Sequence, residues 1–183
     1  MKHVMEWMAA AAPLSFAVPI SGGQNDPRLP ALFRTLKSAA TPDEAAPVEA
    51  KIWAVWTVSG DQAVDNLMTV GLAAVRAQRF PDALAVFDRI VRQLPDFAEG
   101  WNKRATVHYL MGDLAESADD ARHALVLEPR HFGALSGRAA MYMLMGERAL
   151  ALRDMTVAVA IHPFLAGQQM FPELQQQPEM TRI

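Results

Sequence analysis

The chain of 183 residues contains no cysteine and carries little net charge. Without cysteine, it has no disulfide framework, no thiolate zinc site and no cysteine nucleophile. The formal net charge of -3 argues against nucleic-acid binding, which needs clustered lysine and arginine. Hydrophobic residues make up 51% of the sequence, which is enough to bury a core. A single domain or a short repeat array is therefore expected.

Long uninterrupted apolar runs are also missing, even at the apolar N-terminus. Residues 1–23 begin with the basic Lys2, continue as an Ala-rich stretch and place small side chains at Ser15 and Ala17. This is the pattern of a secretory signal peptide. Glu6 interrupts it, so it does not supply the roughly 20 clean apolar residues of a membrane span. We predict a leader cleaved after Ala17 and a periplasmic protein, with a cytoplasmic protein as the alternative.

The motifs of common active sites are absent as well. The segment 133–137, GALSG, lacks the central serine of a nucleophile elbow. There is no HExxH zinc motif and no glycine-rich loop that cradles phosphate. We predict no catalytic residue, no metal and no cofactor.

What the sequence does contain is an internal repeat. Pro95, Pro129 and Pro163 are spaced 34 residues apart and define the units 64–97, 98–131 and 132–165. Small residues recur at fixed positions of these units, where packed helices must approach closely. The eighth position holds Gly71, Ala105 and Ala139, and the twentieth holds Ala83, Ser117 and Ala151. The fifteenth position holds Gln78, Gly112 and Gly146, of which the two glycines are turn residues.

Each unit is predicted to form two helices joined by a tight turn. In the middle unit apolar residues recur every three to four positions, which is the helical period. Gly112 supplies the positive φ of a helix exit, and Pro129 prevents the second helix from continuing.

These features resemble the tetratricopeptide repeat (TPR) family. Trp101 lies at the family's fourth-position Trp, Ala83 and Phe87 match its Ala-x3-Phe element, and Tyr142 matches its eleventh-position Tyr. The resemblance implies an all-α, right-handed α-solenoid of about three helix-turn-helix units with an N-terminal helical cap. Residues 97–106 and 127–137 resemble segments of small exported TPR-domain proteins of proteobacteria. This resemblance implies a periplasmic location and no defined reaction.

The flanks of the array are predicted to be helical covers. Residues 24–60 read as two helices that cap the open end of the array, the second starting with Thr41 as N-cap and Glu44 as its capping-box partner. Trp53 and Trp56 on it are expected in the core rather than in a ligand platform. Residues 166–183 are predicted to form a short cap and a flexible tail.

The resemblance also assigns a concave groove lined by the first helix of each unit. Its positions map here onto the groove candidates Met68, Leu72, Asn102, Thr106, Tyr109, Ser136, Ala140 and Met143. The family's carboxylate clamp is absent, because Met68, Leu72, Gly133 and Gly137 replace its lysine, asparagine and arginine positions.

The predicted function is that of a non-catalytic adaptor that binds a protein or peptide segment in this groove. No nucleic acid and no membrane span are expected. The alternative is a homo-oligomeric scaffold whose groove is closed or self-filled, in which the exposed apolar face of the last unit pairs with another copy.

Overall fold

The computed structural model describes residues 22–175, so residues 1–21 of the predicted leader and residues 176–183 of the predicted tail lie outside this range. Within it the chain forms eight α-helices and no β-strand. Short 3₁₀ turns lie at Gly23–Asn25, Gln168–Met170 and Pro172–Gln175. The helices are α1 Leu29–Ser38, α2 Pro42–Trp56, α3 Gln62–Arg76, α4 Phe80–Gln93, α5 Ala98–Met111, α6 Leu114–Leu127, α7 Phe132–Leu144 and α8 Arg148–Ile161.

The 34-residue period produces three antiparallel helix pairs, α3–α4, α5–α6 and α7–α8. All three pairs turn through a left-handed residue at the fifteenth position of the unit, with φ of 57° at Gln78, 89° at Gly112 and 80° at Gly146. Glycine adopts this conformation without steric cost, which explains its presence in the second and third units. The first unit makes the same turn with a glutamine.

Small residues let the two helices of a unit approach each other. A Cβ placed on Gly71 of α3 would lie 2.7 Å from Cζ of Phe87 on α4. Phe87 and Ala83 are fully buried and belong to the hydrophobic cluster of the first unit, which extends to Val107 on α5. The pattern of small and aromatic residues thus gives close contacts within and between units.

Helix α2 begins where the sequence predicts, with Thr41 as its N-cap residue. The Thr41 hydroxyl accepts a hydrogen bond from the Glu44 backbone N–H at 3.2 Å, and the Glu44 carboxylate accepts one from the Ala40 backbone N–H at 2.8 Å. Trp53 and Trp56 are 6% and 1% exposed, which confirms their place in the core.

The position of this pair differs from the predicted one. Helices α1 and α2 do not cap the first unit; they share one hydrophobic cluster with the third unit, in which Trp56, Phe132 and Met155 are buried together. Helix α1 packs against α8, and the 3₁₀ turn at Gly23–Asn25 contacts α5. The N-terminal helices therefore fold back along the array and leave the outer side of α3 uncovered.

No helix within residues 22–175 combines the length and the apolar character needed to cross a bilayer.

Candidate functional site

The predicted groove runs along α3, α5 and α7, and helix α2 lies over part of it. The Trp53 ring is 4.9 Å from Lys103 Nζ on α5. On α7, a Cβ placed on Gly133 would lie only 2.4 Å from Cη2 of Trp53. Gly133 therefore makes room for the indole, and α2 fills the half of the groove formed by the first turns of α5 and α7.

A buried polar cluster lies beneath α2. Glu99 is 1% exposed, and its Oε1 lies 2.9 Å from Lys103 Nζ. Its Oε2 accepts a hydrogen bond from Asn102 Nδ2 at 2.9 Å and lies 2.8 Å from His131 Nε2. Trp56 stacks on the His131 ring, with the centroids 4.0 Å apart and the planes 13° apart. This arrangement seals the charged groups from solvent.

The charge state of Glu99 follows from these contacts. Burial alone would raise the pKa of the carboxyl group, but the Lys103 ammonium and the hydrogen bond with His131 outweigh it and hold the pKa at about 2. Glu99 is therefore a carboxylate at neutral pH, paired with a lysine that is itself almost fully buried.

Two histidines connect backbone turns to carboxylates in the same way. His131 Nδ1 accepts the Ala134 amide at 3.2 Å, so its proton lies on Nε2 and is donated to Glu99. His162 Nδ1 accepts the Phe164 amide at 3.3 Å, and its Nε2 lies 3.1 Å from Oε2 of Glu49 on α2. The second connection ties the N-terminal helices to the end of the third unit.

Glu49 also orients the tryptophan that covers the groove. Its Oε1 accepts the Trp53 indole N–H at 3.2 Å. Burial would raise the pKa of Glu49, but the hydrogen bonds with His162 and Trp53 lower it below its usual value. Both carboxylates that hold α2 in place are therefore ionised at neutral pH.

The other half of the concave face is open and apolar. The last turns of α5 and α7 end in two runs of three large apolar residues, of which Leu144, Met145 and Met111 are 63%, 45% and 41% exposed. The remaining three are half-buried. We call these six residues at the C-terminal ends of α5 and α7 the apolar ledge; they are Tyr109, Leu110, Met111, Met143, Leu144 and Met145.

The structure divides the predicted groove residues into buried and half-buried ones. Met68 is a core residue of the first unit, and Asn102 and Ser136 are buried as well. The half-buried candidates, which retain access to solvent, are Leu72, Thr106, Tyr109, Ala140 and Met143. Sequence reasoning missed the roles of Lys103 and His131. The only sequence signal near them is Gly133, at a position of the predicted groove. A glycine there indicates that another group packs closely, but not which group.

The fit between Gly133 and Trp53 gives a matched pair of substitutions on one helix. We expect Gly133→Ala to destabilise the protein by about 1–3 kcal/mol, because the buried indole must shift to admit a methyl group. Gly137→Ala should instead stabilise it by about 0.5–1 kcal/mol, because the new Cβ meets only Met141 Cε at 3.9 Å and alanine favours the helix.

Urea unfolding of both variants measures these two effects. If both substitutions changed the free energy of unfolding in the same direction, the placement of Trp53 against α7 would be contradicted.

Comparison with known proteins adds one relative and several structures. A TPR repeat-containing protein of Rhizobium etli is 39% identical over 136 residues, which cover 74% of this chain and 67% of that protein. No protein-family model matches the chain.

The similar solved structures have low sequence identity. The first TPR domain of Spaghetti (RPAP3), solved with an HSP90 peptide, has a TM-score of 0.60 at 16% identity and covers 63% of this chain and 92% of that one. MamA has a TM-score of 0.51 at 17% identity, covering 74% of this chain and 77% of that one. These likenesses confirm the predicted all-α solenoid.

Proposed function

The chain belongs to the tetratricopeptide repeat family, and on this premise we propose that it is a non-catalytic interaction module that binds a partner protein on the open half of its concave face. The partner segment would present apolar anchors. Because α2 fills the first turns of the groove, the segment would bind across the last turns of α5 and α7.

The apolar ledge is the observation that supports this proposal. Six large apolar residues end two neighbouring helices, and Leu144 is 63% exposed. Exposed apolar patches of this kind mark interaction sites. Three of the six are methionines, whose flexible side chains adapt to partners of different shape. Tyr109 adds a hydroxyl group at the edge of the patch.

The same geometry argues against an acidic C-terminal peptide as the ligand. Two positions of the family's clamp are occupied by the buried Met68 and by Gly133, which lies under Trp53. Lys103, the lysine on α5 that lies against Trp53, is already paired with Glu99. The HSP90 peptide of the RPAP3 structure is therefore not a guide to the ligand here.

We also propose that this module works in the cell envelope. The proposal rests on the leader pattern of residues 1–23, which lies mostly outside the described residues. N-terminal sequencing of the protein isolated from its native cells tests it: a chain that begins at residue 18 supports export, and one that begins at Met1 contradicts cleavage after Ala17.

Photo-crosslinking in living cells tests the binding surface. We expect p-benzoylphenylalanine in place of Leu144 to give a discrete heterologous adduct. The same probe in place of Val126, which is 72% exposed on α6, serves as the control and should not give that adduct. Both positions are exposed, so neither replacement should unfold the protein.

A second variant ties the adduct to the ledge. With the probe at Met111, Leu144→Asp should reduce the adduct yield about tenfold, because a carboxylate at the centre of an apolar contact is costly to desolvate. An unchanged yield, or the same adduct from position 126, would contradict the proposal. Mass spectrometry of the adduct identifies the partner.

A further inference from the structure

The outer side of the first unit, which no other described helix covers, has an unusual composition. In the second unit, the residues that face the preceding unit are known from their contacts. Arg104 reaches Asp88 on α4 at 2.8 Å, and the Trp101 indole N–H donates to the Pro95 carbonyl at 2.8 Å. The equivalent residues of α3, one period earlier, are Val70 and Leu67. These positions therefore define the face on which a preceding unit would stack.

The charged pair at this interface is replaced by valines in the first unit. In the second and third units the seventh position is an arginine that binds an aspartate at the twenty-third position, as Arg104–Asp120 at 2.7 Å and Arg138–Asp154 at 2.6 Å. The first unit has Val70 and Val86 instead, and Val70 is 54% exposed. Terminal units of a repeat array normally have a polar outer face. Here the polar pairs are buried inside the array and the apolar pair lies at its free end.

The same face carries no charge. Six of the seven exposed residues of α3 are uncharged, namely Gln62, Ala63, Asn66, Thr69, Val70 and Ala73, and the exposed Ala77 directly after the helix is uncharged as well. Other exposed helix surfaces of the protein are charged, as on α6 with Glu116, Asp119 and Arg122. In a two-fold contact the same surface of both copies meets, and a charge close to the axis faces its own copy. An uncharged face avoids this repulsion.

The other end of the array decides between a closed and an open assembly. Head-to-tail stacking would place the outer side of α3 against the free side of α8. That position is taken by α1 and by the buried Leu165 and Phe171. A filament therefore cannot grow, and the remaining arrangement pairs first unit with first unit.

We propose that the outer face of α3, centred on Val70 and Leu67, is the interface of a two-fold homodimer. This inference goes beyond the proposed function and does not depend on it. It moves the predicted self-association from the last unit, which α1 and α2 cover, to the first. The contact involves one helix and the edge of its neighbour, so a dimer at micromolar rather than nanomolar concentration is expected.

Sedimentation velocity of the full chain over a range of micromolar concentrations tests the dimer. We expect a monomer–dimer equilibrium whose Kd rises at least about tenfold in Val70→Glu, because two carboxylates would face each other near the axis. Val126→Glu, at the exposed apolar residue of α6, is the matched control and should leave the Kd unchanged. Circular dichroism confirms that both variants remain helical.

The absence of cysteine allows a second readout. Val70→Cys should form an intermolecular disulfide under mild oxidation, and Val126→Cys should not. A full chain that stays monomeric at every concentration, or a dimer that Val126→Glu weakens as much as Val70→Glu, would overturn the proposal. Slow alkylation of Val70→Cys in a monomer would also overturn it and would assign residues 1–21 as the occupant. The leader is a candidate because Gly22 lies against Val58 and Gly60, just before α3. Adducts from position 144 should persist in Val70→Glu, so the two proposals can fail separately.

Discussion

Replacing Trp56 with alanine is expected to lower the free energy of unfolding by about 3–5 kcal/mol. Trp56 is 1% exposed and is the largest fully buried side chain of the described residues. It stacks on His131 and has its ring centroid 5.3 Å from that of Trp53 and 5.0 Å from that of Phe132. Its removal leaves a cavity between α2 and α7 that these rigid rings cannot fill.

Hydrogen exchange shows whether the substitution destabilises the region around α2 or the whole protein. The first unit has its own hydrophobic cluster, so hydrogen exchange should accelerate far more in α1 and α2 than in α4. Trp101→Ala is the control. Trp101 is only half-buried and stacks on His123, with the ring centroids 4.5 Å apart. Its replacement should therefore lower the free energy of unfolding clearly less than that of Trp56. Equal losses for the two tryptophans would contradict the docking of α2 in the groove.

A conservative variant separates packing from hydrogen bonding. The Trp56 indole N–H is buried without a hydrogen-bond partner among the described residues. Trp56→Phe keeps an aromatic ring on His131 and removes that unpaired donor. We therefore expect it to cost considerably less than Trp56→Ala.

Glu99→Ala is expected to cost about 3–5 kcal/mol at neutral pH. The substitution leaves the Lys103 ammonium, which is 9% exposed, without the carboxylate 2.9 Å away. The double variant Glu99→Gln/Lys103→Met should recover most of the loss. It removes both charges and keeps an amide that can accept hydrogen bonds from Asn102 and His131. Asp119→Ala is the surface control, since the Asp119–Arg122 pair is exposed and should contribute less than about 1 kcal/mol.

Acid should remove the stability that Glu99 contributes. Its pKa of about 2 in the folded protein lies below the usual value of 4.5, so the unfolded chain takes up a proton first as the pH falls. The contribution is therefore complete above about pH 5 and is lost progressively toward pH 2. Unfolding at several pH values measures it as a fall in the free energy of unfolding of the wild type relative to that of the Gln/Met double variant as the pH is lowered.

The comparison is specific to Glu99 because the double variant retains Glu49. The pKa of Glu49 is also lowered, so its contribution falls in the same direction in both proteins and cancels. A constant difference from pH 7 to pH 2 would contradict the buried pair.

These two predictions concern the part of the molecule next to the proposed binding surface. Helix α2 and the Glu99 cluster close the first half of the groove and leave the apolar ledge as the accessible half. A variant that releases α2 should therefore expose new groove surface, in addition to losing stability.

The sequence by itself determined the repeat architecture, because its signals are local. The 34-residue period, the left-handed fifteenth position and the helix-ending prolines each act within a few residues of the backbone they shape. The capping box at Thr41 and the burial of Trp53 and Trp56 were predictable for the same reason. Which groove candidates stay accessible to solvent was not predictable, because helix α2 covers part of the groove.

Only the tertiary structure decided where the N-terminal helices pack. Their contacts join residues far apart in sequence, such as Glu49 with His162 and Trp56 with His131. No local pattern shows which end of a solenoid such a pair will cover, because any exposed apolar face of the array would bury the same side chains. The choice depends on the space at Gly133 and on the charged pair beneath it, and both exist only once α5 and α7 lie side by side. The bare outer face of α3 follows from that choice.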